Sequence, residues 1–303
     1  MKIKIKDFKD YIKEEPSVLI KKQLKDLEYE NLSKQEEKKL ILKIIKTIYE
    51  KRIIKSGKDY KKYWEEGWNE NYKNYKKSKK NYELIPKYFF KSNIARIGNR
   101  LISTKTKLFD FKILRIITNY VYEKYLINEI NIVEFGCGTG HNLIALSKIN
   151  KKANILGLDW SKSSQKILKL LNKKYKRFSG YTFDYFNPKF SKKIKLNEEE
   201  WSCFTVASLE QVGHNYKKFI NFLKLKKPKI IVNIEPINEL MSQDKILDYL
   251  SVKYSLNRNY LNNYYYYLKK LEEKKIIKIL EVKKSHFGSL YINGYSIIVW
   301  KFL

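Results

Sequence analysis

The 303-residue chain carries 64 lysines and arginines against 32 acidic residues, a formal charge of +32, and is long enough to bury one large core with an accessory segment. No run approaches the roughly 18 consecutive apolar residues of a membrane span, and the opening Met-Lys-Ile-Lys-Ile-Lys-Asp lacks the apolar stretch of a leader. A soluble cytoplasmic protein without membrane insertion is expected. The charge invites a nucleic-acid partner, but six of the 64 basic residues are arginine and the lysines run along the whole length. They come with many asparagines, isoleucines and tyrosines, which share A/T-rich codons, so the bias predicts non-specific attraction to anions more than an arginine-forked base reader.

Residues 1 to about 60 read as helical. Ser33 with Glu36 makes a capping-box pattern, Leu40, Ile41, Ile44, Ile45 and Ile48 follow at helical spacing, and Gly57 is expected to end the helix. Such a helix packs on the domain or on a second copy of the chain, which would make a homo-oligomer. In Tyr63-Trp-Glu-Glu-Gly-Trp-Asn-Glu-Asn-Tyr72, Trp68 and Tyr72 are either ligand-covering residues or aromatic anchors for the N-terminal helices. Between Pro86 and Tyr125 an apolar stretch leads to a helix from about 110 to 126. There Arg96 and Arg100, read as one helical turn apart, either address an anionic substrate group or lie on a solvated face.

From Asn131 the pattern is α/β. Ile132, Val133 and Phe135 read as a buried strand that hands over at Gly136-Cys-Gly-Thr-Gly140 to a helix through Leu143, Ile144 and Leu146. Alternate glycines let the backbone approach a ligand, and one or more of them needs positive φ. A second apolar run, 153 to 159, ends in Asp159, nineteen residues beyond Gly140. In a β-α-β unit that carboxylate lies beside the glycine turn, where it accepts both hydroxyls of a ribose. Ser161 caps a helix at 162–174. Further strands are expected at 181–184, 201–207 and 229–235, the last closed by Pro236, then helices within 239–274 and strands at 276–282 and 291–300. Cys137 and Cys203 read as small buried thiols of a reduced compartment.

The spacing GxGxG, preceded by Glu134, followed by Asp159 and lacking the third glycine of GxGxxG, resembles motif I of the class I S-adenosylmethionine-dependent methyltransferases. Residues 110–303 follow that family's element order. The resemblance implies an α/β fold: a Rossmann-like seven-stranded methyltransferase sheet with a C-terminal antiparallel hairpin. A helical extension, residues 1–109, precedes the S-adenosylmethionine-binding domain, residues 110–303, and folds over it as a lid. The implied cofactor is S-adenosyl-L-methionine. Glu134 is then near its methionine end, with Gly136, Cys137, Gly138, Gly140, Asp159, Trp160, Ser208 and Leu209 around it. Asp184 either meets the adenine amino group or is a turn residue before Asn187-Pro188.

Ligands of open α/β sheets bind outside the carboxyl ends of the strands, which places Glu210, Gln211 and His214 where acceptor and methyl donor meet. Glu210 and His214 are the catalytic candidates, His214 as a general base or as a structural hydrogen-bonder. Glu235 is a substrate contact or a helix-capping acid. Asp248, Tyr254 and Arg258, near one helix face, line the acceptor pocket or form a surface polar cluster. The stretches Glu235-Pro-Ile-Asn-Glu-Leu, Arg258-Asn-Tyr-Leu, Phe287-Gly-Ser-Leu and Gly294-Tyr-Ser look like a bacterial subgroup that acts on surface sugars or small metabolites.

The activity implied is methyl transfer to a small-molecule or sugar-like acceptor, mainly by alignment, with general-base help for a hydroxyl. Three histidines and two cysteines form no recognisable zinc spacing. Base-amino methylation of DNA is disfavoured, because Ser208-Leu-Glu-Gln stands where an Asn/Asp-Pro-Pro-aromatic box belongs. RNA methylation, a non-catalytic cofactor-binding partner subunit and a nicotinamide oxidoreductase are the other readings, the last disfavoured by the missing third glycine.

Overall fold

The computed structural model describes residues 1–50 and 53–303. In chain order the regular elements begin with α1 (Ile5–Ile12), α2 (Val18–Leu24), β1 (Tyr29–Asn31), α3 (Lys34–Tyr49), α4 (Lys61–Ser78), β2 (Ile94–Ile97), β3 (Arg100–Thr104) and α5 (Phe109–Val121). The α/β part contains β4 (Asn131–Phe135), α6 (His141–Ile149), β5 (Asn154–Asp159), α7 (Lys162–Tyr175), β6 (Phe178–Thr182), β7 (Trp201–Val206), α8 (Tyr216–Lys226) and β8 (Ile231–Glu235). It ends with α9 (Ile246–Asn257), α10 (Tyr264–Glu273), β9 (Ile277–Lys283), β10 (Phe287–Ser289) and β11 (Ser296–Phe302).

Seven strands form one sheet in the order β6-β5-β4-β7-β8-β11-β9. Strands β4 to β8 pair in parallel, and β11 is antiparallel to both β8 and β9. The expected Rossmann-like sheet with a C-terminal hairpin is therefore present. Its central strands are buried on both faces and read as continuous apolar runs for that reason. Neighbouring residues of one strand serve opposite cores: Ile132, Ile155 and Val232 pack with α5 and α6, while Val133, Leu156 and Ile231 pack with α8 and α10. The N-terminal residues Ile3, Phe8, Ile12, Ile20 and Leu24 belong to the first of these cores.

The extension is not purely helical. Arg96 and Arg100 lie on a β-hairpin, not on a helix, because Gly98-Asn99 takes the two-residue turn with Gly98 at φ +58°. That hairpin joins β1 and the late β10 in a second sheet, ordered β1-β3-β2-β10. The capping box at Ser33 and Glu36 is formed, but α3 stops at Tyr49, well short of Gly57. The expected continuation through 51 and 52 lies outside the described residues. The strand read at 181–184 is instead Phe178–Thr182, and the final strand starts at Ser296 because Phe287–Ser289 pairs with β2 in the other sheet.

Candidate functional site

The turn after β4 lies at the carboxyl end of the sheet, between β5 and β7. Gly136 and Cys137 donate their N–H groups to the Leu158 carbonyl at 2.7 and 3.0 Å. Asp159 bridges two backbones: Oδ2 accepts from Gly138 N and Oδ1 from Ser161 N, each at 2.8 Å. Burial pushes Asp159 up to about 6 despite those bonds. Gly136 has φ +71°, and a Cβ there would sit 2.4 Å from Ser208 Cβ. Gly140, also at positive φ, is a packing glycine: a Cβ would press on Leu171 at 3.0 Å. Glu134 is fully buried behind Asn142, which donates to Glu134 Oε1 at 2.8 Å; its Oε2 has no partner, and burial pushes its pKa well up.

A cleft opens on this turn, lined by Gly136, Gly138, Asn142, Asp159, Trp160 and Ser208. On its outer side stand Trp64 and Trp68 of α4, stacked 5.1 Å apart. Trp68 lies against Gly138, whose Cβ would be 3.0 Å from the indole. The free space is about 70 Å³. Four lining residues hold buried polar atoms without partners: Trp64 Nε1, His141 Nε2, Asn142 Oδ1 and Gln211 Oε1. Thr139 donates its hydroxyl to the Leu84 carbonyl, so His141 Nδ1 donates to Thr139 and Nε2 is the bare acceptor. Burial keeps this imidazole neutral, its pKa well below the usual value.

A second cavity, about 240 Å³, shares Trp64, Tyr88, Ala207 and Gln211 with the cleft. Its walls include Tyr60, Tyr260 and Tyr295, and its charged groups are Asp110, Glu210 and Arg258. Glu210 Oε1 accepts from Gln211 Nε2 at 2.8 Å, while Oε2 is buried and unpaired. Burial and the neighbouring Glu235 carboxylate push Glu210 well above the usual carboxylate range.

Several expected residues stand elsewhere. His214 is exposed at the far end of the short 3-10 turn Leu209–Asn215 and lines neither cavity. Tyr72 packs half-buried under the Lys166 ammonium, away from both cavities. Glu235 is the capping acid, not a substrate contact: it accepts from the N–H groups of Ser208, Leu209 and Glu210 at 3.0–3.2 Å. Leu209 is fully buried beneath that cap. Asp184 is a turn residue, accepting from Phe186 N and pairing with Lys61 at 2.6 Å. Of the α9 cluster only Arg258 reaches the cavity; Asp248 pairs with Lys284 at 2.5 Å and Tyr254 stacks on Tyr291. Arg96 is buried, donating to the carbonyls of Leu247 and Leu290, and Arg100 is exposed, so neither meets a substrate anion here.

Tyr88, Asp110, His141, Asn142, Tyr260 and Tyr295 were not anticipated. His141-Asn142 had a signal, since they open the helix immediately after the glycine turn. Asp110 and Tyr295 had none, being 185 residues apart.

No family model matches the chain, and no curated protein does. Solved structures similar to it include the mitomycin 7-O-methyltransferase MmcR, at 11% identity and TM-score 0.46, covering 65% of this chain and 56% of that one. The pyocyanin biosynthetic protein PhzM matches at 12% identity and TM-score 0.47, over 65% and 57%. The O-methyltransferase NcsB1 from neocarzinostatin biosynthesis, in complex with S-adenosyl-L-homocysteine and 1,4-dihydroxy-2-naphthoic acid, matches at 12% and 0.45, over 65% and 58%. The chain thus spans less than two thirds of the length of these structures, and likeness at this level carries nothing about substrate. From its own coordinates, the chain has the seven-stranded α/β sheet and the glycine turn that the resemblance to class I S-adenosylmethionine-dependent methyltransferases implies.

Proposed function

We propose that the protein transfers the methyl group of S-adenosylmethionine to a small-molecule or sugar-like acceptor. The observation that carries this reading is a glycine cleft sharing the walls Trp64, Tyr88, Ala207 and Gln211 with a second cavity that holds an unpaired carboxyl oxygen of Glu210. The residues fit the cofactor: a backbone cradle that a Cβ would fill, Asp159 at the strand end, and unpaired polar atoms on Asn142, Gln211 and Trp64. The two indoles of α4 line the outer side of this cleft and would lie against the bound cofactor.

The sulfonium, when bound, supplies an already activated methyl group. The chain's own task is then alignment and handling of one proton. An acceptor hydroxyl held in the second cavity would lie beside Glu210, with the methyl donor's chemistry supplied from the neighbouring cleft. Glu210, in its ionised form, takes the hydroxyl proton on Oε2 and later releases it to water. A 240 Å³ cavity with aromatic walls supports a small ring as acceptor over a polynucleotide.

Calorimetric titration tests the reading. S-adenosylmethionine and S-adenosylhomocysteine are expected to bind with micromolar Kd and NAD not at all. Asp159→Ala is expected to weaken the adenosyl ligands by about ten-fold or more while still unfolding cooperatively. Failure of both adenosyl ligands to bind overturns the reading.

A further inference from the structure

The second cavity holds a set of groups that cofactor binding does not require. Asp110 stands in the first turn of α5, and the Tyr295 hydroxyl donates to its Oδ1 at 2.7 Å. Tyr295 is itself tied down, its carbonyl accepting from the Tyr11 hydroxyl of α1 at 2.9 Å. With Oδ1 held in this way, Asp110 Oδ2 makes no hydrogen bond among the described residues. Across the cavity Glu210 Oε2 is buried and unpaired. The Arg258 guanidinium lies over two tyrosine rings, 5.6 Å from the Tyr60 centroid and 5.2 Å from that of Tyr260, and its Nε is buried without a partner.

These groups narrow what the cavity takes. One carboxylate and one guanidinium nearly cancel, and Glu210 is biased toward its neutral form, so a charged guest would meet an uncompensated like charge at low dielectric. A carboxylate guest drawn to Arg258 takes that counter-charge from Asp110 and stands as a second anion in the cavity. A flat phenol satisfies one of the three polar groups and leaves the others desolvated and unpaired. A ring with several hydroxyls gives each group a partner, since a hydroxyl both donates and accepts. Its C–H face packs on the tyrosine rings, which offer apolar area with polar tips. The volume, about 240 Å³, is that of one such ring with little to spare.

We propose that Asp110, held by Tyr295, is the hydroxyl-binding group of this cavity, and that with Glu210 and Arg258 it selects an uncharged polyhydroxylated ring over a flat phenol or a carboxylic acid. The proposal rests on the reading of this site as a methyl-transfer site and gives its acceptor a chemical class.

The test uses the full chain saturated with S-adenosylhomocysteine. Methyl α-D-glucopyranoside, methyl α-D-galactopyranoside, methyl α-D-mannopyranoside, 1-naphthol and benzoate are titrated separately, with saturation-transfer NMR and calorimetry as readouts. At least one glycoside is expected to bind with millimolar Kd and more tightly than naphthol or benzoate. Asp110→Asn is expected to weaken that glycoside about ten-fold. Tyr295→Phe, which keeps the ring and frees the carboxylate, is expected to weaken it several-fold, and both variants should bind S-adenosylhomocysteine like the parent. Tighter binding of naphthol or benzoate, unchanged glycoside affinity in both variants, or no glycoside binding at tens of millimolar overturns the proposal. Absence of S-adenosylhomocysteine binding overturns the methyl-transfer reading alone, and the same glycoside titrations then decide this proposal on the free chain.

Discussion

Both oxygens of Asp159 are taken by backbone N–H groups, so this acid shapes the glycine turn as well as facing the cleft. Gly136 shows the same dependence on single atoms. Gly136→Ala would strain a φ of +71° and drive a methyl into Ser208, so loss of about 3 kcal/mol or more is expected by chemical denaturation. The base role proposed for Glu210 implies a pH dependence. Its proton is lost above the usual carboxylate range, so kcat/KM is expected to rise with pH well beyond pH 5, and Glu210→Gln to remove that rise. Asp110 adds a stability signature of fixed sign. Its pKa is raised from 3.8 to about 6, so the folded state binds the proton more tightly and stability falls as pH rises through that interval. Asp110→Asn keeps an acceptor for Tyr295 and deletes the charge. Thermal melts should therefore show it stabilised at pH 7.5 by roughly 1–2 kcal/mol, allowing for solvent screening, and much less at pH 4.

Among the elements, the 3-10 turn after β7 is held from below by Glu235 at the end of β8. Gln211 on that turn lines both cavities and Glu210 the second, while His214, at the far end of the same turn, reaches water. Glu235→Ala would leave three N–H groups unpaired in a buried place, and a loss of about 3 kcal/mol is expected in urea unfolding. Helix α4 is the other decisive element. Its two indoles line the cleft, so the proposed cofactor would change their surroundings on binding. Adding S-adenosylhomocysteine is expected to shift tryptophan emission, and Trp68→Phe to reduce most of that change.

At the scale of the whole molecule, the second sheet ties the first third of the chain to its C-terminal part, since β10 near residue 288 pairs with β2 near residue 96. Arg96 reinforces the tie through the Leu247 and Leu290 carbonyls. The N-terminal helices also share a core with the large sheet. A single cooperative unfolding transition, coincident by near- and far-ultraviolet circular dichroism, is therefore expected. Among the described residues no helix is long and apolar enough to cross a membrane.

The features legible from the residues alone are local and periodic. The strand, glycine turn and acid from 131 to 159 were legible because burial on both faces forces continuous apolar runs and a tight turn demands glycine. The helix caps at Ser33 and Ser161 were legible because a cap is a contact within a few residues. The hairpin at 94–104 carried its own signal in Gly98-Asn99, flanked by β-favouring residues, which the helical reading overlooked. Tertiary structure alone decided which polar side chains share a cavity. Asp110, Glu210, Arg258 and Tyr295 come from four separate segments, and no short-range pattern links them. It also decided that Glu235 caps and His214 faces solvent, because a side chain's role at the end of a strand depends on which neighbour takes its hydrogen bonds, and those neighbours belong to other strands.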